Sequence, residues 1–153
     1  MVDAQAGHEK TITAMLPAMA GSNMLYGMGM LEMGQSFSFT QLVLDAEIAK
    51  MVRRAVRGIE VNDDTLAVEE IKDVGPGGNF LTQQHTLDYM HTEQARADIF
   101  DRQMRENWEK SGSTIAREHA EERAREILGS HEPEPLDEDV AEKLEQIVES
   151  AAE

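Results

Sequence analysis

Apolar residues recur at helical spacing from the first positions of the chain. Between Asp3 and Ala20, the residues Ala6, Ile12, Met15, Leu16 and Met19 fall three to four apart in clusters, and Gly21 follows as a stop. This predicts a helix whose methionines serve as core. Asn23 to Tyr26 is a short apolar run between Gly21 and Gly27, a length that suits a buried strand. Residues 27–39 hold three glycines and no period, which predicts a long loop. Ser38 or Thr40 then caps a predicted helix running to Arg57, with Leu42, Ile48, Met51, Val52 and Val56 facing inward and Gly58 beyond its end.

The second half of the chain has weaker periodicity. Residues 61–73 read as an acidic short helix behind an Asp-rich cap, ended by "GPGG". Thr82 to Met90 is a further helical candidate, and Asp98 to Trp108 is a helix or a turn. Thr114 to Leu128 is a strong amphipathic helix with interleaved Glu and Arg. After the linker "SHEPEPL", residues 137–152 predict a last helix opened by Asp137, Glu138 and Asp139 and buried through Val140, Leu144, Ile147 and Val148. This pattern contains a single persuasive strand. A strand satisfies its backbone only in a sheet, so either Asn23 to Tyr26 is not a strand or its neighbours lie outside this chain.

At 153 residues the chain has the length of one domain. Its formal charge of −16 disfavours nucleic acid and anionic membrane as partners, since both are polyanions. The charge is uneven: residues 1–60 carry six acids and five bases, whereas residues 61–153 carry twenty-four acids and nine bases. The first part therefore reads as embedded in a larger body and the second as a solvated exterior. The scarcity of Lys among so many acids suits a cytoplasm of high salt, with an ordinary acidic bacterial or archaeal protein as the alternative. Cysteine is absent, which removes disulfides and thiolate chemistry. No run approaches the roughly 18 to 20 apolar residues of a membrane span, and "MVDAQAGHEK" lacks the marks of a signal peptide. A cytoplasmic location is expected.

Motifs for familiar chemistry are weak. The five histidines, His8, His85, His91, His119 and His131, lack the spacing that places two metal ligands on one helical face, and no metal site is expected. His119 is expected to face solvent, and His85 lies near a Gly-rich turn where a polar contact is open. "GPGGNF" lacks the Lys-Ser/Thr of a phosphate loop and reads as a turn.

The segment "GMGMLEMGQSFSF" is the more informative one. Met28, Met30 and Met33 sit in the predicted loop, either as core or as a soft wall against a flat ligand. Glu32 is its single acid. A carboxylate among Met, Leu, Tyr and Gly is hydrogen-bonded, paired or exposed, because an isolated buried charge is costly. Two readings stand: Glu32 caps a helix or points to water, or it faces a cation in a hydrophobic pocket where Tyr26 and Phe37 offer aromatic faces to an ammonium group.

The segments "DAQAGHEK", "NMLYGMGMLEMGQSFSFTQLVLDAEIAKMVRR", "GIEVNDDTLAVEEIKDVGPGGNFL" and "HEPEPLDEDV" resemble the C-terminal part of the trimethylamine:corrinoid methyltransferase family. The likeness spans nearly the whole chain. It implies an α/β fold: the C-terminal portion of a (β/α)8 TIM-type barrel, with this chain mostly helical and carrying one or two short strands. Residues 1–60 would hold the last helix, strand, loop and helix units of the barrel, and residues 61–153 an acidic helical extension packed on it. Loops that follow barrel strands build the active-site face, which puts residues 27–39 there.

The implied reaction moves a methyl group from trimethylamine to the Co(I) form of a cognate corrinoid protein, so that the cobalt corrinoid is carried by a partner and no cofactor is bound directly. In methanogens the family's enzymes carry pyrrolysine at an in-frame amber codon shortly before the segment matching DAQAG. The resemblance thus implies a downstream piece of a split frame, inactive alone and homo-oligomeric when whole. The family branch without pyrrolysine, acting on quaternary amines such as glycine betaine, is an alternative. A stand-alone helical interaction module is the other. The site expected in this chain is Glu32 as charge partner of the ammonium or of the pyrrolysine nitrogen, with Tyr26, Phe37 and Gln35 at the substrate. Gly27, Gly29 and Gly34 would permit close approach of the backbone.

Overall fold

A computed structural model describes residues 1–151. The chain is mostly helical, with two short strands. Helix α1, Ala4–Met19, starts where the Asp3 carboxylate accepts the Ala6 N–H at 3.0 Å, satisfying one of the free amides of the first turn. Helix α2, Phe39–Arg57, starts at Ser38, whose hydroxyl accepts the Gln41 N–H at 3.2 Å, and stops at Gly58 with φ of 72°. Asn62 and Thr65 form a reciprocal capping box at the head of α3, Asp63–Leu66. Five more helices follow among the described residues: α4, Val68–Val74; α5, Gln84–Tyr89; α6, Arg105–Lys110; α7, Ala116–Ser130; and α8, Glu138–Ala151.

Helix α2 is the hub and packs against both α1 and α7. Its Ile48 and Val52 are buried together with Ala120 and Ala124 of α7 and with Ile99. Alanines four apart on α7 let its backbone come close to α2, and both sides lose water. Residues 75–78 form the expected turn, closed by the Gly78 N–H on the Gly75 carbonyl at 3.3 Å.

The structure corrects several expectations. Residues 24–27 take no regular structure and join no sheet among the described residues, so Asn23 to Tyr26 forms no strand here. The pairing lies instead inside the predicted loop: β1, Met30–Leu31, runs antiparallel to β2, Ser36–Phe37, with Met30 opposite Phe37 and Leu31 opposite Ser36. The acidic helix is broken at Ala67, which has φ of 49°. In the stretch read as a helix or a turn, residues 98–104 are non-helical and a helix begins at Arg105. His119 is half-buried, with its Nε2 2.7 Å from the Thr114 hydroxyl, rather than solvent-facing.

Apolar faces expected to be buried are open. Leu16 and Met19 of α1, Val56 of α2, and Val140, Leu144, Ile147 and Val148 of α8 are all exposed. These side chains have the periodicity of core positions, yet among the described residues they stay exposed. Positions 152 and 153, part of the expected extension, lie outside the described residues. The accessible surface is 12319 Å² for 17.1 kDa, where a compact protein of that mass exposes roughly 7,700 Å². No helix among the described residues is long and apolar enough to cross a membrane.

Candidate functional site

The hairpin from Met30 to Phe37 carries most of the expected site residues. Glu32 and Met33 at its tip have φ of 52° and 55°, a left-handed backbone that costs non-glycine residues about 1 kcal/mol each. Glu32 is exposed, and its Oε2 accepts the Ser36 hydroxyl at 2.7 Å, which fixes the carboxylate across the turn. It caps no helix with its side chain. Met33 beside it is 99% exposed.

Phe37 is partly exposed and packs edge-to-face on Phe39, with ring centroids 5.4 Å apart. Gln35 is exposed on the same turn, next to Gly34 with φ of 86°. Tyr26 lies elsewhere: it is 82% exposed and lines a cleft of about 240 Å³ between α1, residues 24–28 and α2. That cleft is not lined by Glu32, Gln35 or Phe37. The chain therefore gathers Glu32, Gln35 and Phe37 on one hairpin and places Tyr26 apart from them, in the cleft between α1 and α2.

Beneath the hairpin is a network that reading apolar positions alone did not find. Asp45 is 5% exposed, on the inner line of α2 with Gln41, Ile48 and Val52. Its Oδ2 accepts the Gly29 N–H at 2.8 Å and pairs with Lys10 Nζ at 3.1 Å, while its Oδ1 accepts Gln41 Nε2 at 2.7 Å. Lys10 also donates to the Gly27 carbonyl at 2.6 Å. These partners satisfy a carboxylate whose burial alone would be prohibitive. The signal was present in the sequence, because positions 41, 45, 48 and 52 share one helical face and two of them are polar.

A second buried acid, Glu47, joins α2 to the segment before α6. It accepts Lys50 Nζ at 2.6 Å and the Asp98 N–H at 2.7 Å, and Lys50 reaches Asp98 at 2.6 Å as well. The hydrogen bond to Asp98, then that to Glu47, holds the Lys50 ammonium above its ordinary pKa; the same bond from Lys50 holds the Asp98 carboxyl below its own. Farther off, the hydrogen bond from Tyr89 to the Asp64 carboxylate pushes the phenol up to about 12. His85 stacks on Tyr89 with centroids 4.5 Å apart, and its Nε2 lies 2.9 Å from the Asp64 carbonyl. No group of three His, Cys, Asp or Glu side chains among the described residues is placed to hold a metal ion.

Residues 1–152 match the family model described as trimethylamine methyltransferase (MTTB). The chain belongs to the trimethylamine methyltransferase family. Trimethylamine methyltransferase MttB of Desulfitobacterium hafniense is 48% identical over 147 residues, a match that covers 96% of this chain and 29% of that protein. Trimethylamine methyltransferase MttB2 of Methanosarcina mazei is 45% identical over 152 residues, covering 97% of this chain and 30% of its own length. A glycine betaine methyltransferase of Desulfitobacterium hafniense is 35% identical over 149 residues, with 96% of this chain and 31% of that protein covered. The chain thus spans about 30% of the length of the trimethylamine methyltransferases it matches. In this member of the family, the hairpin and the Asp45 network beneath it both fall within the matched residues.

Proposed function

We propose that this chain serves the transfer of a methyl group from trimethylamine to a cobalt corrinoid carried by a partner protein, as the C-terminal part of a (β/α)8 barrel. The match to trimethylamine methyltransferases along almost the whole chain carries this reading. The lower identity to the glycine betaine methyltransferase favours trimethylamine over a quaternary amine. A barrel setting is supported by the apolar residues 24–26, which join no sheet among the described residues, and by an accessible surface about 1.6 times that of a compact protein of this mass.

The corrinoid supplies the Co(I) nucleophile that takes the methyl group. In this reading the cobalt stays with the corrinoid partner. This chain's own residues bind and orient the amine. Glu32, steadied by Ser36, presents a negative charge to the methylammonium or to the ring nitrogen of pyrrolysine. Phe37 supplies an aromatic face that attracts a methylated cation, Gln35 adds a polar contact, and Tyr26 offers a second face from the cleft between α1 and α2. The left-handed backbone at Glu32 and Met33 is the kind of local strain that functional loops retain.

The experiment is methyl transfer from trimethylamine to the reduced corrinoid protein by the assembled enzyme, with Glu32→Gln and Phe37→Ala beside the wild type. Both variants are expected to slow transfer, Glu32→Gln by about tenfold or more, consistent with loss of one preorganised charge. Unchanged rates in both would remove the hairpin from the amine site. Transfer from glycine betaine but not trimethylamine would correct the substrate, and methyl transfer by the isolated 153-residue chain would refute the larger barrel.

A further inference from the structure

We propose that Asp45 and Lys10 are positioning residues that clamp the Gly27 to Gly29 turn and so set the hairpin Met30 to Phe37 for methyl transfer; this rests on the reading of that hairpin as part of the amine site. Asp45 is buried within the body of α2. It occupies an inward position of α2 on the same line as Ile48 and Val52, where an apolar side chain would serve the helix and its packing without the penalty of burying a charge. What the carboxylate does that an apolar residue cannot is reach the loop.

Its Oδ2 holds the Gly29 N–H at 2.8 Å, and the Lys10 ammonium paired with it holds the Gly27 carbonyl at 2.6 Å. The turn is thereby gripped at both ends, by an anion from α2 and a cation from α1. Gly29 is also the base of the hairpin: its carbonyl accepts the Ser38 N–H at 2.9 Å, and its φ of 77° turns the chain into β1. A displacement of Gly29 is therefore passed to both strands and to Glu32 at the tip.

Gln41 completes the clamp. Its Nε2 must face the Asp45 carboxylate, so the side-chain amide cannot be turned around, and its Oε1 is buried with no donor among the described residues. A buried polar atom left unpaired is a cost that the protein carries to keep Asp45 in one orientation.

The test uses the assembled methyltransferase with Lys10→Met, Asp45→Asn and the conservative Lys10→Arg, read by amide hydrogen exchange and by methyl transfer from trimethylamine. In Lys10→Met and Asp45→Asn, exchange at Gly29 and Ser38 is expected to rise at least about tenfold while the interior amides of α1 and α2 stay protected. The kcat is expected to fall by about 10- to 100-fold, the scale of a misplaced catalytic group, with a smaller change in KM. Lys10→Arg should restore both readouts, because it keeps the cation and its donors. Should Asp45→Asn fail to fold, Lys10→Met carries the test alone, since it keeps the apolar stem.

Unchanged exchange at Gly29 and Ser38, with Glu32→Gln still impaired, overturns the clamp and spares the site. An arginine variant as defective as the methionine variant assigns Lys10 to packing and also overturns it. Loosened exchange with full transfer in Lys10→Met and in Glu32→Gln overturns the amine-site reading and the positioning role with it.

Discussion

Glu47 accepts the backbone N–H of Asp98 at 2.7 Å, so a buried carboxylate on α2 holds a segment 51 residues farther along the chain. Its other oxygen accepts Lys50 Nζ at 2.6 Å. The two buried acids of α2 thus share a task, Asp45 gripping the turn before the hairpin and Glu47 gripping the segment after α5.

Replacing Glu47 leaves the Asp98 amide and one Lys50 contact without an acceptor. Glu47→Ala is expected to lower stability by about 1–3 kcal/mol, the range for orphaned buried hydrogen-bonding groups. Lys50 is half-exposed and recovers part of its loss in water. Glu47→Gln keeps an oxygen for the Asp98 amide and should cost less. Urea unfolding of the three proteins measures the order, and a larger loss in the glutamine variant than in alanine contradicts the assignment of the Asp98 bond.

The Lys50 to Asp98 pair predicts a stability window in pH. The Asp98 carboxyl is held below its ordinary 3.8 by the hydrogen bond from Lys50. As pH falls, the unfolded chain takes up this proton first, so the contribution present above 3.8 fades through the lower folded value. Lys50 is raised above 10.5, chiefly by Asp98. Its contribution is fully present below 10.5 and fades as pH rises through the folded value. Asp98→Asn should therefore soften the loss of stability at both ends, and unfolding profiles that superimpose from pH 3 to 11 would rule the coupling out.

Tyr89 offers a spectroscopic check on the distal cluster. Its phenol is pushed up to about 12 by the hydrogen bond to Asp64, so between 10 and 12 the unfolded chain loses the proton first and stability falls. Ultraviolet titration of tyrosinate should show one of the two tyrosines ionising late. In Asp64→Asn the late one should move back toward 10; persistence of the late titration would mean that Asp64 is not its cause.

Much of the helical frame was legible in the sequence because its signals are local. Asp3, Ser38 and Asn62 cap helices through the amide three residues on, and Gly58 and Gly75 end them with positive φ. The shared face of Gln41 and Asp45 with Ile48 and Val52 could be read from spacing, but the partners that make buried acids tolerable could not, since Asp45 and Glu47 bond the amides of Gly29 and Asp98, 16 and 51 residues away. The apolar run at Asn23 to Tyr26 misled in the other direction. Composition marks a segment as fit for a sheet, yet a strand exists only with a neighbour, and residues 24–27 have none among the described residues. Glu32 stood out as a lone acid, but its left-handed backbone is imposed by the hairpin and has no signature in its own residue type.

Gly29 and Gly27 separate backbone strain from close approach. Both have positive φ, 77° and 95°, so alanine at either position pays about 1 kcal/mol for the left-handed backbone. At Gly27 the new Cβ meets only Met30 Sδ at 3.8 Å, an ordinary contact. At Gly29 it meets Phe37 Cε2 at 2.7 Å and Leu42 Cβ at 3.2 Å. The Phe37 ring is partly exposed and can swing away, but only by giving up its edge-to-face contact with Phe39, worth about 1 kcal/mol. Leu42 Cβ is fixed to α2 and cannot yield. Gly29→Ala should therefore cost about 1–2 kcal/mol more than Gly27→Ala and should also raise exchange at the Ser38 amide, which closes the hairpin on Gly29. Denaturant midpoints and exchange rates measure both effects, and equal destabilisation by the two substitutions would show that the hairpin base tolerates a side chain.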